Sequence, residues 1–294
     1  MQKIKADFIE SIGKNKKGRV KYYQPRRDYE EGRQKDGLIC VIIKKKNMRR
    51  AISQIAPSLS VQVKEIVLGG LLGDGSLKIN DKYKNARYSF RHSIKQKDYF
   101  FWKVNQLKEI SNEKCFWEQD DGKIRYQSLA LESLTEIHSL TNQGNKLYIR
   151  RKWLNLLTPM ALAVWWLDDG SLVKNSRQGV LCTDGFDIEV QKILAKYLQK
   201  VWGIETKIGK TAKNGGYYRL WFRSTEMLKK FLRIILPYVK VENMLPKTII
   251  LYNDPVLQER WISEIVQLTG FEKSVVEKQL AVKRAKYKKF QKMI

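Results

Sequence analysis

LLGDGSLKIN (71–80) and WLDDGSLVKN (166–175) are two copies of one segment, sharing the core Asp-Gly-Ser-Leu at Asp74 and again at Asp169. Self-similarity at a long, fixed offset marks a duplicated structural unit. The segments downstream of the two copies are alike in outline. After the first come a strand-like RYSFRHS (87–93), a helical segment over about 98–110, two strand-like pieces within 115–131 and a helix over about 132–141. After the second come VLCTDGF (180–186), a helix over 187–202, strands near 204–210 and 216–223, and a helix over 225–236. Alternation of period 2 and period 3.6 in that order predicts an α+β chain. Each half is an αββαββα unit, and the two pseudo-symmetric half-domains span 60–150 and 151–255. A basic N-terminal extension (1–59) and a basic, helical C-terminal extension (256–294) flank them.

The helix preceding each Asp-Gly is unusual. SVQVKEIVLGGLLGD (60–74) enters through a Ser60 cap, and its mate enters through Thr158-Pro159; both are expected to stop at a glycine, Gly75 and Gly170. Gly69, Gly70 and Gly73 crowd one helix, each costing up to ~1 kcal/mol. They need a packing reason, such as a bare face against which the second helix lays Ala161, Ala163 and Val164. At least one of Trp165 and Trp166 is expected in its own half's core. Asp74 and Asp169 fall at the negative end of the helix dipole, where a carboxylate is disfavoured by up to ~1 kcal/mol. Helices paired along the pseudo-dyad bring the two acids together, where they repel unless a cation lies between them. Carboxylate oxygens suit Mg²⁺, with Mn²⁺ as a substitute, and such a site suits phosphodiester hydrolysis.

Charge agrees with that chemistry. The 294 residues hold 57 Lys+Arg against 30 Asp+Glu, a net of +27, which implies a polyanionic partner. The longest apolar run, Leu38–Ile43, is far short of a bilayer span, so no membrane role is expected. The start, MQKIKADFIESIGK, carries Asp7 and Glu10 and fits neither secretory nor transit peptides. Cys40, Cys115 and Cys182 form no CxxC pair, which reads as reduced thiols in an intracellular protein and removes zinc fingers. With only His92 and His138, an HNH-type or histidine-based metal site is not expected, and His92 reads as a buried, hydrogen-bonded residue. Basic clusters mark both extensions: Lys44–Lys46 with Arg49 and Arg50, and Lys283, Arg284, Lys286, Lys288, Lys289 and Lys292.

VLGGLLGDG (67–75) and LAVWWLDDG (162–170) resemble the two motifs of single-chain LAGLIDADG homing endonucleases of group I introns, a resemblance covering roughly residues 60–255. It implies a saddle of two antiparallel sheets straddling duplex DNA, with the motif helices at the centre, in a monomer that makes closely spaced double-strand cuts. The last acid of each motif then ligates catalytic metal: Asp74 and Asp169. Asp168 stands opposite Gly73 in the other motif and is left out of the metal set, with a helix-end or supporting role. The family's late lysines correspond to Lys247, in Met244-Leu245-Pro246-Lys247 with proline where the family has tyrosine, and to Lys146 in the first half. Both would stabilise charge near the scissile phosphates. Two other readings stand beside this one, an intron RNA maturase and a non-catalytic DNA-binding regulator. Retention of both acids favours cleavage. The initial Met and the lack of a terminal His-Asn pair disfavour an intein.

Strand alternation sends every second side chain to one face. Arg87, Ser89 and Arg91 share a face, as do Lys123, Arg125 and Gln127, and in the second half Arg219, Trp221 and Arg223; Lys207 and Lys210 lie on the preceding strand. Arg and Gln suit base edges, and Lys suits phosphates. These eleven side chains are the expected DNA-contact set.

Overall fold

The computed structural model describes residues 48–174, 176–211 and 216–287. All belong to the second of the two units into which the chain divides, 44–294. Lys44–Lys46 and Lys288, Lys289 and Lys292 lie outside the described residues.

Ser60 accepts a hydrogen bond from the Val63 amide (3.3 Å) and starts α1 (Val61–Leu71), whose residues from Val63 onward are all buried. A helix buried on nearly every side, its Lys64 and Glu65 included, belongs at the centre of a domain. Next come β1 (Gly75–Lys78), β2 (Arg87–Ser93), α2 (Lys97–Gln106), β3 (Phe116–Gln119), β4 (Lys123–Gln127) and α3 (Glu132–Thr141). A hairpin, β5 (Asn142–Gln143) with β6 (Lys146–Leu147), and the short α4 (Arg151–Leu154) lead to the second copy. Thr158 caps α5 (Pro159–Asp169) by accepting from the Ala161 amide. Then come β7 (Gly170–Val173), β8 (Gln178–Leu181), α6 (Ile188–Tyr197), β9 (Lys207–Lys210), β10 (Tyr218–Phe222) and α7 (Thr225–Ile235). A 3₁₀ turn (Glu242–Lys247) precedes α8 (Pro255–Thr269) and α9 (Lys273–Arg284), which account for most of the described residues beyond 255.

The duplication is explicit in the sheets. The first runs β1-β2-β4-β3 and the second β7-β8-β10-β9, antiparallel throughout. In β2, Tyr88, Phe90 and His92 are buried while Arg87, Ser89 and Arg91 are not. β4 buries Ile124 and Tyr126, and β10 buries Leu220 and Phe222. Each sheet therefore has one core face and one polar face, as the alternation predicted.

The paired motif helices meet backbone to backbone. A Cβ on Gly69 would overlap the Ala161 carbonyl, and one on Gly73 would lie 2.5 Å from Asp168 Cβ. Gly70 departs from the expectation: it faces the Tyr88 hydroxyl of its own sheet, not the partner helix. Trp166 packs in its own half against Phe222 and Phe231 (centroids 5.8 and 5.5 Å), and Trp165 is also fully buried. The helix ends also differ from the expected glycine caps. α1 stops at Leu71 with a turn over 72–74, so Asp74 lies just beyond the helix. Gly170 caps α5 in an extended conformation (φ −77°, ψ 145°), not a left-handed one. Glycine is required there by close approach, because a Cβ would overlap the Trp166 ring. Among the described residues no helix is long and apolar enough to cross a membrane, and Cys115 and Cys182 are free thiols.

Candidate active site

Because α1 and α5 pack so tightly, their ends deliver Asp74 and Asp169 to one locality together with Asp168. The two motif acids have unlike surroundings. Burial alone would raise the Asp74 carboxyl, but a hydrogen bond with His92 and the charges of His92, Lys103 and Lys247 hold it below the ordinary value. Burial pushes Asp169 up, and the negative charges of Asp74 and Asp168 push it further, to about 7, against the opposing pull of Lys247. Like charges held in one pocket titrate apart in this way.

Asp168 explains much of the difference. Its side chain is fully buried and reaches into the first half-domain. Lys103 Nζ of α2 donates to both carboxylate oxygens (3.1 and 3.0 Å), the Tyr99 hydroxyl donates to Oδ1 (2.9 Å), and the Asp74 amide donates to Oδ2 (3.3 Å). With four hydrogen bonds from three donor groups this carboxylate has no free acceptor edge. Asp74, His92 and Asp168 each place one ligand atom within 4.8 Å of the others, yet Asp168 is already neutralised by a buried ammonium. The carboxylate grouped with Asp74 and His92 is thus Asp168, which was left out of the expected metal set, and not Asp169.

His92 reaches Asp74 from beneath. Its Nδ1 lies 3.2 Å from Asp74 Oδ2, a close though poorly aligned contact, and its Nε2 lies 3.5 Å from Lys103 Nζ. The expectation of a buried, hydrogen-bonded histidine holds, but its contact with a motif acid was not foreseen.

The two expected lysines fall in unlike places. Lys247 is half-buried, and its Nζ donates to the carbonyls of Leu167 (2.6 Å) and Asp168 (3.0 Å), capping the end of α5 beside the acids; Trp166 Nε1 in turn donates to the Lys247 carbonyl (3.0 Å). Burial lowers the Lys247 ammonium, while Asp168, Asp74 and Asp169 act to raise it. Lys146 is exposed on the β5–β6 hairpin, which Asn142 and Asn145 tie to Leu77 and Ile79 beyond the catalytic end of β1. It is not among the charges acting most strongly on either acid. The first-half ammonium that does act is Lys103. A lysine three and four residues from the apolar Phe100 and Tyr99 on one helix face was the available signal for it.

Five of the expected DNA contacts share a groove with Asp74. Arg87, Ser89, Arg91, Arg125 and Gln127 line a cavity of about 520 Å³ that also includes Ser76, Lys78, Asn80 and Trp117. Arg91 stands directly opposite Arg125 across the strands, an arrangement unfavourable unless an anion lies over it. Arg87 Nη1 donates to Gln127 Oε1 (3.1 Å), and the Nε atoms of Arg87 and Arg125 are buried without a partner. Lys123 sits at the hairpin end, 2.9 Å from Asp121. In the second half Lys207 pairs with Glu205 (2.6 Å), and Lys210 lies over the Tyr218 ring (6.0 Å). Arg223 covers Trp221 (4.5 Å), whose Nε1 meets the Gly209 carbonyl (3.3 Å). Arg219 is held by both oxygens of Asp184 at 2.5 Å, so its fork is already engaged.

Comparison with known proteins places this geometry. The chain is 29% identical over 194 residues to a protein RecA of Mycolicibacterium flavescens, covering 62% of this chain and 45% of that protein. It thus spans about half the length of the RecA relatives it matches. It is 26% identical over 185 residues to the DNA endonuclease I-ChuI of Chlamydomonas applanata, covering 54% of this chain and 81% of that one. The fold matches the homing endonuclease I-WcaI bound to its DNA recognition sequence, with a TM-score of 0.58 at 23% identity over 67% of this chain and 88% of that one. Residues 64–231 match the family described as LAGLIDADG DNA endonucleases. The duplicated motif helices, the paired four-stranded sheets and this match agree: the chain belongs to the LAGLIDADG DNA endonuclease family.

Proposed function

We propose that the protein is a site-specific, metal-dependent endonuclease that lies with its two polar sheet faces across duplex DNA and hydrolyses a phosphodiester in each strand. The reading rests most on the crowding of Asp74 and Asp169 at the ends of two tightly packed helices, where Asp169 is pushed up to about 7. Two carboxylates forced into that state fit a divalent cation, whose charge would restore Asp169 to its ionised form. Asp74 and Asp169 would hold Mg²⁺ or Mn²⁺, which when bound supplies an acidified water and charge stabilisation at the phosphate.

The chain's own groups do the rest. His92 and the Lys103–Asp168 pair fix Asp74 from below, its carboxylate by the His92 contact and its amide by Asp168. Lys247 caps α5 with two N–H bonds and keeps a third N–H and its charge near both acids, suited to meeting developing negative charge. Lys146, remote on its hairpin, would act on DNA further along the first half. Arg87, Ser89, Arg91, Arg125 and Gln127 would read bases and phosphates in the first half, with Lys123 at the groove's edge. Lys207, Lys210, Arg219, Trp221 and Arg223 would do so in the second, with Arg219 first leaving Asp184. The active species would be a monomer, since both half-domains are in one chain.

The test is a cleavage assay on a library of host-derived or randomised duplex sites with Mg²⁺ and with EDTA. A discrete Mg²⁺-dependent double-strand cut is expected, lost in Asp74→Asn and in Asp169→Asn while duplex binding persists. Full cutting by either variant refutes the metal assignment. Absent cutting with tight binding to a structured intron RNA, or to one DNA operator, refutes the nuclease reading.

A further inference from the structure

The C-terminal helix α9 is bound into the active-site architecture. Lys283, 5% exposed, donates from Nζ to the carbonyls of Pro246 and of Ile249 (2.7 Å), which bracket Lys247 in sequence. A cavity of about 350 Å³ opens between this helix, the 242–247 turn and β7, lined by Ser171, Lys247, Lys283, Lys286 and Tyr287 among others. None of the lining residues is acidic, and no carboxylate among the described residues pairs with Lys283 or Lys286. Lys247 and Lys283 each spend two N–H donors on backbone carbonyls and keep one, and Lys286 is exposed. Burial and the neighbouring charge of Lys286 push Lys283 down to about 7. The mouth of the cavity includes Ser171, two residues beyond Asp169; its repeat mate Ser76 lines the first-half groove beside Asp74.

Resting on the nuclease reading above, we propose that this cavity is a phosphate site contributed by the C-terminal extension, gripping one phosphodiester of the DNA backbone beside Asp169. Lys286 supplies the accessible charge, and the half-buried Lys247 and buried Lys283 supply the donors behind it. Through Lys283 the same contact steadies the segment that carries Lys247.

The experiment measures binding of wild type and Lys286→Ala to a mixed-sequence duplex across salt concentrations, alongside cleavage and thermal unfolding. Loss of one phosphate contact makes the slope of log K against log salt shallower by about 0.9. Lys286→Ala is expected to show that change and a several-fold weaker affinity with an unchanged melting temperature; Lys286→Glu weakens binding further. A single neutral methylphosphonate is expected at one position to weaken wild type and not Lys286→Ala. Wild type that binds and cuts while Lys286→Ala keeps the full slope and affinity overturns the phosphate site alone. Wild type with no duplex affinity overturns it together with the nuclease reading.

Discussion

Replacing Asp169 with asparagine should stabilise the metal-free protein while abolishing its chemistry. Asp169 is pushed from 3.8 in an unfolded chain to about 7 in the fold by burial and by Asp74 and Asp168. Between pH 4 and pH 7 the unfolded chain has released this proton and the native one has not, so stability falls as pH rises through that window and stays low above it. At about 1.4 kcal/mol per unit the shift corresponds to no more than ~4 kcal/mol. Partial exposure and salt screening reduce that to about 1–2 kcal/mol. For a chain of this size such a gain raises the melting temperature by about 2–3 °C. Thermal unfolding in EDTA at pH 8 should therefore show Asp169→Asn melting above wild type, with the difference fading towards pH 4. Adding Mg²⁺ should raise the wild-type melting temperature by ligand linkage and leave the variant unmoved. A variant that melts at or below wild type at pH 8 in EDTA would refute the argument that the two acids are held in mutual repulsion.

Other substitutions test other parts of the site. Lys103→Met leaves Asp168 as an uncompensated buried charge and should cost about 3–5 kcal/mol in urea unfolding; Lys103→Met combined with Asp168→Asn should recover part of that, and no recovery would show that the pair is not the reason. Gly69→Ala forces a methyl into the Ala161 carbonyl and should cost about 1–3 kcal/mol, with cleavage falling more than duplex affinity because the acids are displaced; unchanged stability would contradict the close helix approach. Arg91→Ala removes one of two opposed arginines, so stability should hold or rise slightly while duplex affinity falls and its salt slope becomes shallower by about 0.9; a variant that binds as tightly as wild type would remove this groove from the DNA interface.

The repeat, the helix order and the core face of each strand were legible in the sequence because they are local, periodic signals. β2 is the clearest case: RYSFRHS predicts its own bounds and which side chains are buried. Asp74 and Asp169 stood out for a different reason, since an acid at the expected helix end recurs in both copies, although Asp74 lies just past its helix. The supporting shell was not legible. Lys103 meets Asp168 across the half-domain boundary, and nothing in KDYFFWKVNQ announces a partner 65 residues on beyond the oddity of a lysine among aromatics. The docking of Lys283 on Pro246 and Ile249 is equally long-range. Repeat symmetry also misled at the lysines. It suggested equivalent roles for Lys146 and Lys247, whereas one lies on an exposed hairpin and the other caps α5.

The departure from symmetry at Asp168 results from the close packing itself. Its counterpart in the first motif is Gly73, and a Cβ on Gly73 would sit 2.5 Å from Asp168 Cβ. At so tight a crossing one motif can carry a side chain at this position only if the other carries none. The room left by Gly73 lets Asp168 lean into the first half, where Lys103 neutralises it and where it accepts from the Tyr99 hydroxyl and the Asp74 amide. A dimer of identical halves could not make that arrangement, because its symmetry would place two carboxylates in the same space. The single chain therefore gives its two motif acids different environments. Asp74 is ionised and braced by His92, while Asp169 is driven towards the neutral form by its neighbours and awaits a positive charge. Paired carboxylates whose surroundings push their titrations apart are suited to unequal roles, so Asp74→Asn and Asp169→Asn should differ in their effect on metal affinity even where both abolish the cut.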